Sequence, residues 1–325
     1  MPLIHSHDYK PPIWLFNGHL QTIVPSQFRK AVPLSYHRER VSTPDKDFLL
    51  LDWAGTASDK LAIISHGLEG DSQRPYMRGM ARAFVQAGYR VLAWNFRGCG
   101  GEMNHTLRFY HSGATTDLDF IVHHALGQGH FKKVVLVGFS LGGNLTLKYF
   151  GERDHQHHAI INKAIVFSVP LDLHSSSLKI GKASNFIYSQ RFLKNLKKKI
   201  SEKELQMPEG LSTRHFSQIK SLKDFDDFYT APLHGFKDAV DYYTQCSSLH
   251  YLNGIKIPTL IVNAKNDPFL SETCYPEKLL ISHPNVYFLA PDEGGHVGFM
   301  PRGLGKDNMF WSEKTAVHFA ENGYL

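Results

Sequence analysis

Lys133-Val134-Val135-Leu136-Val137 runs directly into Gly138-Phe139-Ser140-Leu141-Gly142-Gly143, and Asn144 to Phe150 follows with helical character. The first five residues are too apolar for a strand with one wet face, so they predict a strand covered on both faces of a sheet. G-x-S-x-G between such a strand and a helix is the context of a nucleophile elbow, a sharp turn that lifts a serine hydroxyl above the sheet. Gly138 and Gly142 flank Ser140 because side chains there would meet neighbouring backbone, and Gly143 permits closer packing still. The helix after the turn directs free N–H groups and its positive dipole end at the hydroxyl, which suits a developing oxyanion. The alternative is a strand–turn–helix corner in which Ser140 merely caps the helix.

Runs of the same kind recur on both sides. Leu61–Ser65, Arg90–Asn95, Ala164–Ser168, Thr259–Asn263 and Val286–Ala290 read as strands. Tyr76–Ala87, Thr116–Leu126 and Trp311–Glu321 read as helices between or after them. The alternation predicts an α/β fold with a mostly parallel central sheet and helices on both faces. Between Ser168 and Thr259, 90 residues break this rhythm. A largely helical cap over the C-terminal edge of the strands accommodates them most simply, and active sites of open α/β sheets lie at that edge. The expected layout is one α/β-hydrolase domain over 1–325. Its core covers about 40–170 and 258–325, its cap insertion about 171–257 and its N-terminal extension 1–39.

A serine hydroxyl needs a base. Among 20 histidines, His296 stands out in Gly294-Gly295-His296-Val297-Gly298-Phe299, directly after the last strand, where glycines suit a tight loop reaching across the sheet edge. An acid must hold that imidazole in the right tautomer. Asp267, in Asn266-Asp267-Pro268 after another buried strand, fits; Asp172 is the rival, and Asp292 and Glu293 lie too near His296 along the chain. The order Ser140, Asp267, His296 is that of α/β-hydrolases rather than of chymotrypsin or subtilisin. Two convergent N–H donors are needed for the oxyanion; Leu141 and Leu68, the latter in His66-Gly67-Leu68-Glu69-Gly70, are the candidates, with His66 a structural hydrogen-bonder.

Other features read as bland. His155-Gln156-His157-His158 and His123-His124 lack carboxylates at ligand spacing and read as solvent-facing polar residues, so no metal and no cofactor are expected. Asn95-Phe96-Arg97-Gly98-Cys99-Gly100-Gly101 lacks G-x-G-x-x-G and G-K-[ST] and reads as a turn beside the site, with Cys99 packed rather than reactive.

The composition, 42% hydrophobic and 20% charged, is that of an ordinary globular chain. Three cysteines without metal-like or redox spacing make a disulfide framework improbable. The start of the chain lacks the basic-then-apolar order of a secretory signal and no apolar run is long enough to span a bilayer, so a cytoplasmic location is expected. Of the net charge of +6, residues 171–257 carry most, with 13 Lys/Arg against 9 Asp/Glu. Within 191–203, Arg191, Lys194, Lys197, Lys198, Lys199 and Lys203 stand against one acid, Glu202. A solvated basic helix face is expected, with peripheral membrane contact as the alternative. Nucleic-acid binding would rest on charge alone and is not expected.

The chain resembles the YheT-like α/β-hydrolases, bacterial relatives of eukaryotic ABHD-type lipid esterases and of yeast medium-chain acyl-ester synthase/esterases. The likeness runs from Asn17-Gly18-His19-Leu20-Gln21-Thr22 through His66–Gly70, Asn95–Cys99, Tyr110-His111-Ser112-Gly113 and the elbow. It continues over Pro170–Leu173, Asp226–Pro232, Gly235-Phe236, Asn266–Phe269 and Gly294–Phe299. This resemblance implies Ser140, Asp267 and His296 as nucleophile, acid and base, and short- or medium-chain acyl esters as substrates. Some eukaryotic relatives begin with a membrane anchor that is not seen here, which argues against a membrane-resident lipid substrate. Acyl transfer to an alcohol on the same triad, and a non-catalytic scaffold binding through its basic cap, are the competing expectations.

Overall fold

The computed structural model describes all residues except 1, 2, 6, 31, 153–159, 306, 307, 324 and 325; the His155–His158 cluster therefore lies outside the described residues. In chain order the strands are β1 (Leu3–Ile4), β2 (His37–Ser42), β3 (Phe48–Ala54), β4 (Lys60–Ser65), β5 (Arg90–Asn95), β6 (Lys133–Phe139), β7 (Ile161–Phe167), β8 (Thr259–Val262) and β9 (Val286–Leu289). They form one sheet in the order β1-β9-β8-β7-β6-β4-β5-β3-β2. Only the β2–β3 and β3–β5 pairs are antiparallel. This is the mostly parallel α/β sheet that the strand–helix alternation predicts.

Period-2 alternation divides each central strand between two cores. Leu61 and Ile63 of β4 pack on one side with α3 (Thr115–Leu126) and α4 (Leu141–Glu152), through Leu118, Ile121, Leu145 and Tyr149. Ala62 and Ile64 pack on the other with α2 (Pro75–Gln86) and α11 (Trp311–Asn322), through Met80, Phe84, Ala316 and Phe319. The helices outside this rhythm are α1 (Gly18–Phe28), between β1 and β2, and the group between β7 and β8: α5 (Leu173–Ile180), α6 (Phe186–Gln206), α7 (Leu222–Phe225), α8 (Ala231–His234) and α9 (Ala239–Cys246). The short α10 (Glu277–Leu280) precedes β9.

Two differences from the sequence expectation stand out. The sheet reaches further toward the N-terminus, since β3 is buried along its whole length and β1 pairs with β9 at the far edge. Moreover, the Asn95–Gly101 turn is a structural knot. The Arg97 guanidinium is buried against Asp117 (2.8 Å) and Asp47 (2.9 Å), and Asp47 also accepts from Asn104, at 2.7 Å, and from Thr106. Cys99 is buried there, and burial pushes its thiol up to about 11.

At the C-terminal edge His66, following β4, is a wholly buried clasp. Its Nε2 accepts the Phe96 N–H at 3.1 Å, so the proton sits on Nδ1, which donates to the Gly67 carbonyl at 2.7 Å. Burial lowers its pKa from 6.5 to about 3. Burial likewise takes His234 to about 4 and His111, whose ring centroid lies 4.5 Å from that of His234, well below its ordinary value.

Two outcomes are expected. Arg97→Ala leaves Asp47 buried without its cation and Asp117 with only Arg108, at 3.5 Å, and costs about 3–5 kcal/mol, read from urea denaturation midpoints. For the histidines, the unfolded chain takes up protons below pH 6.5 that the folded protein refuses, so their stability contribution is complete above pH 6.5 and is lost as the pH falls toward 3 and 4. Denaturant unfolding at pH 5.0 against pH 7.5 is expected to show a loss of about 2 kcal/mol per such histidine. Equal stability at the two pH values would contradict this.

Candidate active site

β6 delivers Ser140 to a left-handed turn with φ of 52°, a conformation that costs a non-glycine residue about 1–3 kcal/mol. The turn is held by the Ser140 N–H on the Phe167 carbonyl (2.9 Å) and the Asn144 N–H on the Ser140 carbonyl (3.0 Å). Close backbone approach explains the glycines. A Cβ on Gly138 would stand 2.5 Å from the Gly142 carbonyl oxygen, and one on Gly142 would stand 2.5 Å from the carbonyl oxygens of both Ser65 and His66.

Ser140, His296 and Asp267 come together as the sequence predicts. The Ser140 Oγ lies 3.0 Å from His296 Nε2, and His296 Nδ1 lies 2.8 Å from Asp267 Oδ2. A carboxylate only accepts, so Nδ1 carries the proton and the Nε2 lone pair faces the serine. Asp267 is fully buried, and its other oxygen accepts the Phe269 N–H at 2.8 Å. The rival Asp172 is occupied elsewhere, capping α5 through the Ser175 N–H (3.1 Å) and accepting from Thr273 (2.8 Å). Asp292 pairs with Lys265 at the surface, and Glu293 accepts from Gln21.

Sequence reasoning missed what holds the histidine loop. Gln21 and Thr22 of α1 are buried there. The Gln21 side-chain oxygen accepts from the Gly294 N–H (2.7 Å) and the Asn266 amide (2.9 Å), and Thr22 Oγ1 accepts the His296 N–H (2.8 Å). A Cβ on Gly298 would stand 1.9 Å from the Gln21 carbonyl oxygen. The segment expected as an extension is thus a wall of the site. Hydrophobic periodicity carries no sign of this, because the buried residues of α1 are Gly18, Gln21, Thr22 and Pro25.

The two expected donors are free. Among the described residues neither the Leu68 nor the Leu141 N–H has an acceptor, while the N–H groups beside Leu68 are taken: Gly67 donates to Tyr76 Oη (3.0 Å) and Glu69 to Tyr110 Oη (3.0 Å). The Glu69 carboxylate is pinned by Lys199 Nζ at 2.8 Å and by the Tyr110 hydroxyl at 2.7 Å. Lys199 belongs to α6, and this corrects the picture of a solvated basic helix. Lys199 also donates to Cys99 Sγ, Lys197 donates to the Phe216 and Ile219 carbonyls, and the buried Lys203 donates to the Asn104 and Thr106 carbonyls. Burial brings Lys203 down to about 8. Arg191, Lys194 and Lys198 are the exposed ones.

Two hollows meet at Ser140 and His296. One, of about 130 Å³, reaches under the helices between β7 and β8, among Leu68, Phe109, Leu141, Phe192, Ile200 and Phe225. The other, of about 340 Å³, opens between α1 and α6 and is more polar, with Thr22, Arg74, Tyr76, Tyr188, Arg191 and Asn195. Among the described residues no three His, Cys, Asp or Glu side chains gather to hold a metal ion, and no helix is long and apolar enough to cross a membrane.

Comparisons with known proteins place the chain in a family. The chain is 34% identical over 302 residues to YheT of Escherichia coli (strain K12), provisionally named an esterase, with 91% of this chain and 88% of that protein covered. It is 27% identical to the human phospholipase ABHD3 (91% and 74% covered). Against the medium-chain fatty acid ethyl ester synthase/esterase 2 of Saccharomyces cerevisiae the identity is 24% (96% and 85%). The Pyrococcus furiosus esterase Pf2001 has a similar fold, with a TM-score of 0.57 at 18% identity over 97% of this chain and 98% of that one. A family model for the alpha/beta hydrolase fold matches residues 63–302. The chain belongs to the α/β-hydrolase family and, within it, to the YheT-like group.

Proposed function

We propose that this protein is a serine hydrolase of carboxylic esters that works through an acyl-enzyme on Ser140. The observation that carries the reading is the continuous hydrogen-bond chain Ser140–His296–Asp267 lying beside two unengaged N–H groups. His296 takes the Ser140 proton as Oγ attacks the ester carbonyl, and the Leu68 and Leu141 N–H groups receive the oxyanion. His296 then protonates the leaving alcohol and activates the water that releases the acid, while Asp267 keeps the imidazole in its tautomer. YheT, ABHD3 and the yeast relative carry ester-cleaving names, which supports ester chemistry.

In this reading residues 171–257 form a cap, the hollow beneath them takes the acyl group, and the larger cleft between α1 and α6 takes the alcohol. That cleft also gives acyl transfer to an alcohol a place as the second reading, and product partition with added ethanol separates it from hydrolysis. The exposed cations of α6 offer a surface for peripheral membrane contact. A purely binding scaffold would have no use for the intact hydrogen-bond chain.

Fluorophosphonate is expected to label the wild type and not Ser140→Ala, and Asp267→Asn is expected to lower kcat about 10⁴-fold with folding intact. An unlabelled wild type would overturn the proposal. The acyl hollow, at about 130 Å³, is slightly smaller than the ~150 Å³ apolar cavity that admits benzene. A p-nitrophenyl ester series is therefore expected to peak at roughly four to six acyl carbons. A maximum at palmitate would show that the hollow is not the acyl site.

A further inference from the structure

The Tyr110-His111-Ser112-Gly113 segment takes no part in the chemistry above, yet it is fastened to the helix that carries Ser140. Asn144, whose N–H bonds the Ser140 carbonyl, donates its side-chain amide to the Ser112 carbonyl (3.0 Å) and the Cys246 carbonyl (2.8 Å). A Cβ on Gly113 would stand 2.3 Å from Cys246 Sγ, so the segment lies flush against the end of α9. His111 and Ser112 line the same hollow as Ser140 and His296.

Both present a donor without a partner. His111 Nδ1 accepts the Gly113 N–H at 3.2 Å, so in the neutral ring the proton is on Nε2. Among the described residues that N–H has no acceptor. Ser112 Oγ accepts the Tyr242 hydroxyl at 2.8 Å, and Tyr242 Oη is itself engaged by the Ser112 N–H at 3.0 Å. The Ser112 hydroxyl proton is therefore also left without an acceptor among the described residues.

An alkyl chain pressed against two such donors removes their water and returns nothing. An oxygen acceptor in the chain restores the bond, and sites built this way discriminate against the analogue that lacks the polar group. Asp226 lies on the wall of the same hollow, accepting from Tyr243 at 2.6 Å, and opposes a second negative charge there.

Resting on the reading of Ser140 as the acylated residue, we infer that the hollow is built for acyl groups that carry a neutral oxygen acceptor, a ketone or hydroxyl, toward their far end, received by His111 and Ser112. Burial keeps the His111 ring neutral, which suits a donor to a neutral oxygen.

The test compares p-nitrophenyl 4-oxopentanoate, 5-oxohexanoate and 6-oxoheptanoate with the corresponding plain esters, as ratios of kcat/KM, in wild type, His111→Phe, His111→Gln and Ser112→Ala. The ratio within each pair cancels general damage to the site. In wild type at least one oxo ester is expected to be preferred about five- to twentyfold. The preference is expected to collapse toward one in His111→Phe, to weaken in Ser112→Ala and to return in part with His111→Gln, whose amide supplies an N–H. Should His111→Phe fail to fold, Ser112→Ala decides alone, being a small change. The same ratio in wild type and in every folded variant overturns the inference while leaving the esterase reading intact. No labelling of Ser140 and no turnover of the plain esters overturns both.

Discussion

The tightness of the turn between β6 and α4 constrains everything around it. With the Ser65 and His66 carbonyl oxygens lying 2.5 Å from where a Gly142 Cβ would be, α4 begins in contact with the end of β4. That contact brings the Leu141 N–H to the same edge as the loop that carries Leu68. A methyl group at Gly138 or Gly142 would force the helix away from the sheet, and the serine and the two amides would part. The backbone strain at Ser140 is tolerated because neighbours on both sides fix it: the Phe167 carbonyl from β7 and the first turn of α4.

Around this turn, three other parts of the chain are tied down by polar groups rather than by apolar packing. His66 clasps the ends of β4 and β5, Gln21 and Thr22 hold the histidine loop, and Lys199 joins α6 to Glu69 in the loop of Leu68. Each tie uses a buried group that would be costly if left unpaired, so each specifies one arrangement. Apolar packing supplies the two cores on either side of the sheet but has no directional preference at the level of a few tenths of an ångström. The hydrogen bonds set that scale.

The central strands and the Ser140 turn were legible because their signals are local. A run of branched residues ending in G-x-S-x-G, or in a loop rich in glycine, carries its structural context in its own neighbours. Ser140, His296 and Asp267 each stood directly after such a run, and the structure brings them together. β3 and α1 were not legible for the opposite reason. β3 acquires its burial from β5 and β2 on either side, and α1 buries Gln21 and Thr22, residues that count as polar in any periodicity. The basic run on α6 was misread because composition cannot tell a lysine in water from one whose ammonium reaches a buried carboxylate or carbonyl. Lys199 and Lys203 are of the second sort.

The bonds from Gln21 to Gly294 and from Thr22 to His296 span 273 and 274 residues of chain. β1 also pairs with β9, and Arg29 forms a buried pair with Glu313. A chain synthesised from its N-terminus holds Gln21 and Thr22 in waiting until nearly all the rest has emerged. Ring closure on that scale is slow and comes late, because its entropy must be met before any bond rewards it. The serine turn, which needs only segments already made, is complete first. On the ribosome the turn at Ser140 therefore has its partners before His296 has been made, and the Ser140–His296–Asp267 chain closes only when Gln21 and Thr22 meet the Gly294–His296 loop.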